Sequence, residues 1–130
     1  MPTDDEISAF HSIVQTGGAA SVEKALKANP ALATAADKFG FQAIHLLDYT
    51  GFHDILSLLL NHGVDINAAN DDGHTLLHVL IDPEFLPAVL EAGGGLTAKD
   101  NHGRTPLMLA RTEHNNQDMI DALIEAGAKE

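Results

Sequence analysis

Gly73-His74-Thr75-Leu76-Leu77-His78 has a counterpart on either side of it in the chain. Gly40-Phe41-Gln42-Ala43-Ile44-His45 lies 33 residues earlier, and Gly103-Arg104-Thr105-Pro106-Leu107-Met108 lies 30 residues later. Each copy leads into a Leu-rich run that closes on glycine: Ser57-Leu-Leu-Leu-Asn-His-Gly63, Ala88-Val-Leu-Glu-Ala-Gly93 and Ala122-Leu-Ile-Glu-Ala-Gly127. After the first two, Val64-Asp-Ile-Asn-Ala68 and Gly94-Gly-Leu-Thr-Ala98 lead to Asn70-Asp-Asp-Gly73 and Asp100-Asn-His-Gly103. Self-similarity at this period marks a repeat array. One unit cannot cover its own apolar face, so neighbours stack.

Local chemistry fits a helix-turn-helix unit with a projecting β-turn. Thr75 and Thr105 are helix-capping residues, and Pro106 suits the first helical position, where its missing N–H is not needed. Gly63, Gly93 and Gly127 follow helical runs and predict left-handed C-terminal caps. The Asp- and Asn-rich stretches before Gly40, Gly73 and Gly103 are turn formers. Two irregularities stand out. The third unit is three residues short around Ile81-Asp-Pro-Glu-Phe-Leu-Pro87, where Asp82-Pro83 reads as a helix start and Pro87 predicts a short or kinked second helix. The fourth unit has one extra residue near His114-Asn-Asn-Gln117.

These copies resemble the ankyrin-repeat family, whose unit is near 33 residues and carries a Thr-Pro-Leu-His-x-Ala signature. Thr105-Pro106-Leu107 lacks the His, and Thr75-Leu76-Leu77-His78 lacks the Pro. The resemblance runs from about Asp37 to the end and implies an all-α solenoid of about four repeats, a single domain over 1–130. Its expected divisions are a divergent N-terminal cap at 3–36, repeats at 37–69 and 70–99, and a C-terminal cap at 100–130. In the cap unit, a helix is expected from Asp4 to Gln15 and a second over Ser21 to Ala28, with Asn29-Pro30 as its exit. Asp118, Asp121 and Glu125 form the expected solvated side of the last unit, which stops at Lys129-Glu130. Met1 and the polar ends suit a free-standing array.

Composition sets further bounds. The chain has 130 residues, 45% of them apolar and 20% charged, which suits a soluble globular protein. It has no cysteine, so disulfides, thiol catalysis and thiolate metal sites are excluded. Neither a secretory signal nor an apolar stretch of membrane-spanning length is present, which predicts a cytoplasmic protein. The formal charge is −12. Between Lys38 and Lys99 no Lys or Arg occurs, while Asp48, Asp54, Asp65, Asp71, Asp72, Asp82, Glu84 and Glu91 all do. Such a chain is repelled by phosphate backbones and anionic lipid and is steered towards a basic surface. The alternative is that the acidity only maintains solubility.

In the family, partners meet the β-turn tips and the outward face of each first helix. Carried over by register, this implies protein-binding positions at Phe39, Phe41, Tyr49, Asp71, Asp72, His74, Asn101, His102 and Arg104, with Lys38, Asp82 and Thr112 beside them. Phe39, Phe41 and Tyr49 are half of the six aromatics. Clustered exposed aromatics are typical binding anchors. The competing reading is that Phe39 and Phe41 fold back onto Tyr49 to cover a gap left by the irregular first unit.

Eight histidines raise the question of metal binding. His45 and His78 occupy the signature position, where the resemblance implies a bond to backbone between neighbouring repeats. His74 and His78 are four apart, but His74 precedes the helix cap and no third ligand is evident. No phosphate loop, nucleophile elbow or zinc-protease motif occurs, so no enzyme activity and no cofactor are expected. Asp65-Ile66-Asn67 resembles a site that asparagine hydroxylases modify in some ankyrin proteins, and it is also ordinary repeat sequence. The expected function is binding of another protein by a monomer. Small solitary arrays resemble bacterial immunity proteins that neutralise a toxin, which points to an acidic inhibitor of a basic partner. A general adaptor, a secreted bacterial effector and a histidine-based metal carrier are the rivals.

Overall fold

The computed structural model describes residues 2–47 and 49–128. Asp48 of the acid-only span, Met1 and the terminal Lys129-Glu130 lie outside the described residues. No strand occurs among the described residues, and the chain divides into two compact units, one running up to Asp65 and one from Ile66 onward.

In the first unit, α1 (Asp4–Thr16) is one residue longer than expected. It starts on a reciprocal cap: Thr3 Oγ1 accepts the Glu6 N–H and Glu6 Oε1 accepts the Thr3 N–H, both at 3.2 Å. Asp4, Asp5 and Glu6 in its first turn complement the positive end of the helix dipole. Ile7, Phe10, His11 and Val14 recur at helical spacing and form its buried stripe. That stripe packs on α2 (Gly18–Ala28), which in turn packs on α3 (Phe52–Asn61). Val22, Leu26, Phe52, Ile55 and Leu59 are all but inaccessible to solvent and form the centre of this unit. Each contributes about 1.5–3 kcal/mol by leaving water.

Between α2 and α3 the expected first helix of the second repeat is reduced to a single 3-10 turn, Ala43–His45, followed by another at Tyr49–Gly51. Gln42 stands where the later repeats have Thr, and the following Tyr49-Thr50-Gly51 is poor in helix propensity.

The second unit holds α4 (Leu76–Val79), α5 (Leu86–Glu91), α6 (Pro106–Leu109) and α7 (Gln117–Glu125). The shortened repeat does have a short second helix. Its cause differs from the one expected: Pro87 sits in the first turn of α5, where it removes no hydrogen bond, and a 3-10 turn at Pro83–Phe85 precedes it. Asp82 caps that turn by accepting the Glu84 N–H at 3.0 Å. The extra residue of the fourth repeat is absorbed by a π-helical turn, Ala110–His114, and by Asn115 in the left-handed region at φ 46°. Asn116 then caps α7 through the Met119 N–H.

The expected glycine caps form at three helix ends with one geometry. Gly63, Gly93 and Gly127 have φ of 83°, 100° and 107°. The next residue's N–H reaches back five residues in each, Val64 to Leu59, Gly94 to Val89 and Ala128 to Leu123, at 2.9–3.2 Å.

Candidate protein-binding surface

The three turn tips share one construction. Asp37 Oδ1 accepts the N–H groups of Phe39 and Phe41 at 2.9 and 3.0 Å. Asn70 Oδ1 does the same for Asp72 and His74, and Asp100 Oδ1 for His102 and Arg104. In each case the anchor residue also donates its own N–H four residues ahead and accepts from the turn glycine. Asn70 and Asp100 are buried and hold exposed neighbours outward. Sequence reading recognised the turn chemistry but not these anchors. Their signal is the recurrence of Asp, Asn and Asp three residues before Gly40, Gly73 and Gly103.

In the first unit, Phe39 at the tip is 59% exposed, and Lys38 Nζ lies 5.2 Å from its ring centroid. Phe41 is half-buried and meets the His45 ring edge-on at 5.9 Å. Tyr49 is carried by the 3-10 turn that opens onto α3, is 38% exposed, and leans on Phe52 at 6.2 Å. His45 is buried, and its Nδ1 accepts the Gln42 N–H at 3.0 Å.

In the second unit, Asp71, Asp72, Asn101 and His102 are exposed. The two tips are tied together, since Asn101 Nδ2 donates to the Asp71 carbonyl at 2.6 Å and the Asn101 N–H to the Asp72 carbonyl at 3.0 Å. Arg104 is half-buried, its guanidinium held by Asp100 Oδ2 at 2.9 Å and Glu113 Oε1 at 2.8 Å. It therefore shapes the surface more than it offers a positive charge. Burial alone would push the Asp100 carboxyl up. The N–H groups of Arg104 and His102 and the Arg104 guanidinium outweigh it and hold the carboxyl well below the usual carboxylate range. Asp82 and Thr112 are engaged locally, Thr112 donating its hydroxyl to the Met108 carbonyl.

His74 and His78 do share a face: their rings stack at 5.5 Å and 27°. Their ring nitrogens face Asp100 Oδ2 (His74, 3.2 Å) and, for His78, the Thr75 N–H and the Arg104 carbonyl at 3.1 and 2.9 Å. The last of these is the bond from the signature His to the neighbouring repeat. Because Nδ1 accepts, the Nε2 of His78 carries the hydrogen, and burial pushes its pKa down. Among the described residues no three His, Asp or Glu side chains converge as a metal would require, and no helix is long and apolar enough to cross a membrane.

The Ankyrin repeat family model matches residues 39–71 and 102–129. The unmatched stretch between them contains the shortened repeat. Among curated proteins, the chain is 30% identical to B-cell lymphoma 3 protein of Homo sapiens over 114 residues, which is 82% of this chain and 25% of that protein. It is 31% identical to Ankyrin repeat and SOCS box protein 6 of Pongo abelii over 98 residues, 68% of this chain and 23% of that one. It is 30% identical to Intracellular phospholipase A2 of Caenorhabditis elegans over 128 residues, 91% of this chain and 11% of that one. The chain thus spans between about a tenth and a quarter of the length of these relatives. With the repeating turn anchors, the glycine caps and the signature His bond, these matches place the chain in the ankyrin-repeat family.

Proposed function

We propose that this chain is a cytoplasmic, non-enzymatic module that binds a basic protein and blocks it, in the manner of an immunity-type inhibitor. Ankyrin repeats are in general protein–protein interaction modules without chemistry of their own. What carries the finer reading is charge: nineteen acids face seven bases, and no Lys or Arg lies between Lys38 and Lys99. Exposed Asp71 and Asp72 on one unit and exposed Phe39 on the other supply acidic and apolar contacts. Acidic steering accelerates encounter with a basic partner, and an aromatic desolvated on contact slows release.

The test is capture of partners from the native organism by the tagged chain, compared with a Phe39→Ala/Asp71→Asn/Asp72→Asn variant of unchanged thermal stability. One basic protein retained by the wild type, lost from the variant and inhibited when mixed with the wild type supports the proposal. Many partners, or one held equally by the variant, favour a general adaptor. That second reading draws support from the relatives, in which the matching repeats are part of much longer chains.

A further inference from the structure

Between the first three turns of α1 and the 37–40 turn lies a cavity of about 510 Å³. Its walls are rich in hydrogen-bond acceptors: Asp4 and Asp5 from the first turn of α1, the hydroxyls of Ser8 and Ser12 further along that helix, and Asp37 from the turn. Phe39, the most exposed large apolar side chain among the described residues, also lines it. His11 contributes to the wall. It is buried, and its Nε2 has no hydrogen-bond partner. A buried nitrogen without a partner is unusual, since nearly all such groups are satisfied. The base in the lining is Lys38, whose ammonium already lies over the Phe39 ring.

We infer that this cavity is a socket for one arginine side chain of the protein partner. A guanidinium is planar, always charged and carries five N–H donors with no acceptor, which complements a wall of carboxylates and hydroxyls that retain accepting capacity, such as the second oxygen of Asp37. It also stacks on aromatic faces, and the position taken by Lys38 Nζ shows that a cation is accommodated over Phe39. The incoming guanidinium takes that position and displaces Lys38 into solvent. Charge complementarity selects the occupant: three carboxylates against one displaceable ammonium exclude an acidic or purely apolar side chain. The inference rests on the basic-partner reading and names where on the first unit that partner's charge is received.

The test is an NMR titration of the full, isotope-labelled chain with acetyl-Gly-Arg-Gly-amide and with the same peptide carrying norleucine. Shifts confined to residues 4–15 and 37–46, with at least fivefold tighter binding of the arginine peptide, are expected. Phe39→Ala and the double change Asp4→Asn/Asp5→Asn should each weaken it severalfold. Lys38→Ala should tighten it, a gain that damage to the fold does not produce. Equal binding of the two peptides, shifts elsewhere, or weaker binding in Lys38→Ala overturns the socket. A basic partner whose capture is untouched by Phe39→Ala removes the socket and leaves the broader reading standing. Socket binding with no basic partner captured removes the broader reading instead.

Discussion

Asp37, Asn70 and Asp100 do the same work with different charge, and that makes their substitution informative. Asp100 accepts two backbone N–H groups through Oδ1 and pairs with Arg104 through Oδ2. Asp100→Asn keeps the first task, as Asn70 shows, whereas Asp100→Ala orphans both N–H groups. The Ala variant should therefore lose about 2–3 kcal/mol in urea unfolding and the Asn variant clearly less. Histidine supplies the pH dependence. Burial lowers the pKa of both His11 and His78, so the unfolded chain takes up protons at a higher pH than the folded one. Their contribution is complete above the unfolded value of 6.5 and is lost as pH falls through it towards the lower folded values. Asp100, also lowered, keeps its contribution until pH falls below its unfolded 3.8. Melting temperature should fall between pH 7.5 and 5.5 and again below 3.8. His78→Gln should flatten the first slope without removing it, because His11 titrates in the same direction.

At the level of elements, the parts legible in the sequence were those set by local chemistry. Glycine after a Leu-rich run gives a left-handed cap wherever it occurs, and Pro106 after Thr105 starts a helix. The starts of the first helices were legible in their caps but their brevity was not, because four residues such as Leu76–Val79 are held by their neighbours and carry no periodicity of their own. The site was legible only as register. That Phe39 points outward while Phe41 packs on His45, and that Arg104 is already paired, depends on tertiary contacts. The extra residue of the fourth repeat was visible as a count, but its accommodation as a π-turn closed by Asn115 was not. That accommodation predicts an order of tolerance. Asn115→Gly should be neutral or slightly stabilising, and Asn115→Val should cost about 1–2 kcal/mol, since a β-branched residue is strained at φ 46°. Gly73 and Gly103 have φ of 82° and 77° but different surroundings. A Cβ on Gly73 meets the Asn101 backbone nitrogen at 2.7 Å, whereas Gly103 opens onto free space. Gly73→Ala should thus lower the melting temperature well beyond Gly103→Ala, by scanning calorimetry of the pair.

For the whole molecule the governing quantity is the excess of twelve negative charges. Seven bases cannot neutralise nineteen acids, whatever the pairing, so folding gathers unbalanced charge into a smaller volume. Among the described residues, ion pairs of two kinds are seen. Lys27–Glu23 lies at the surface and contributes little, while Arg104 is fastened to a buried carboxylate that salt scarcely reaches. Screening therefore weakens the repulsion more than it weakens the attractions. Going from about 0.01 to 0.15 M salt shortens the Debye length from about 30 to 8 Å. Melting temperature at pH 7.5 should rise by a few degrees over that range and level off beyond it. Association with a basic partner should respond in the opposite sense, because the same charge that strains the free chain steers the encounter. Its rate constant should fall about tenfold or more over the same salt range while the dissociation rate changes little. Stopped-flow kinetics beside thermal melts in matched buffers checks both. A melting temperature that falls with salt would mean that surface ion pairs outweigh the net charge, and the acidity could then no longer be read as strain held for the sake of binding.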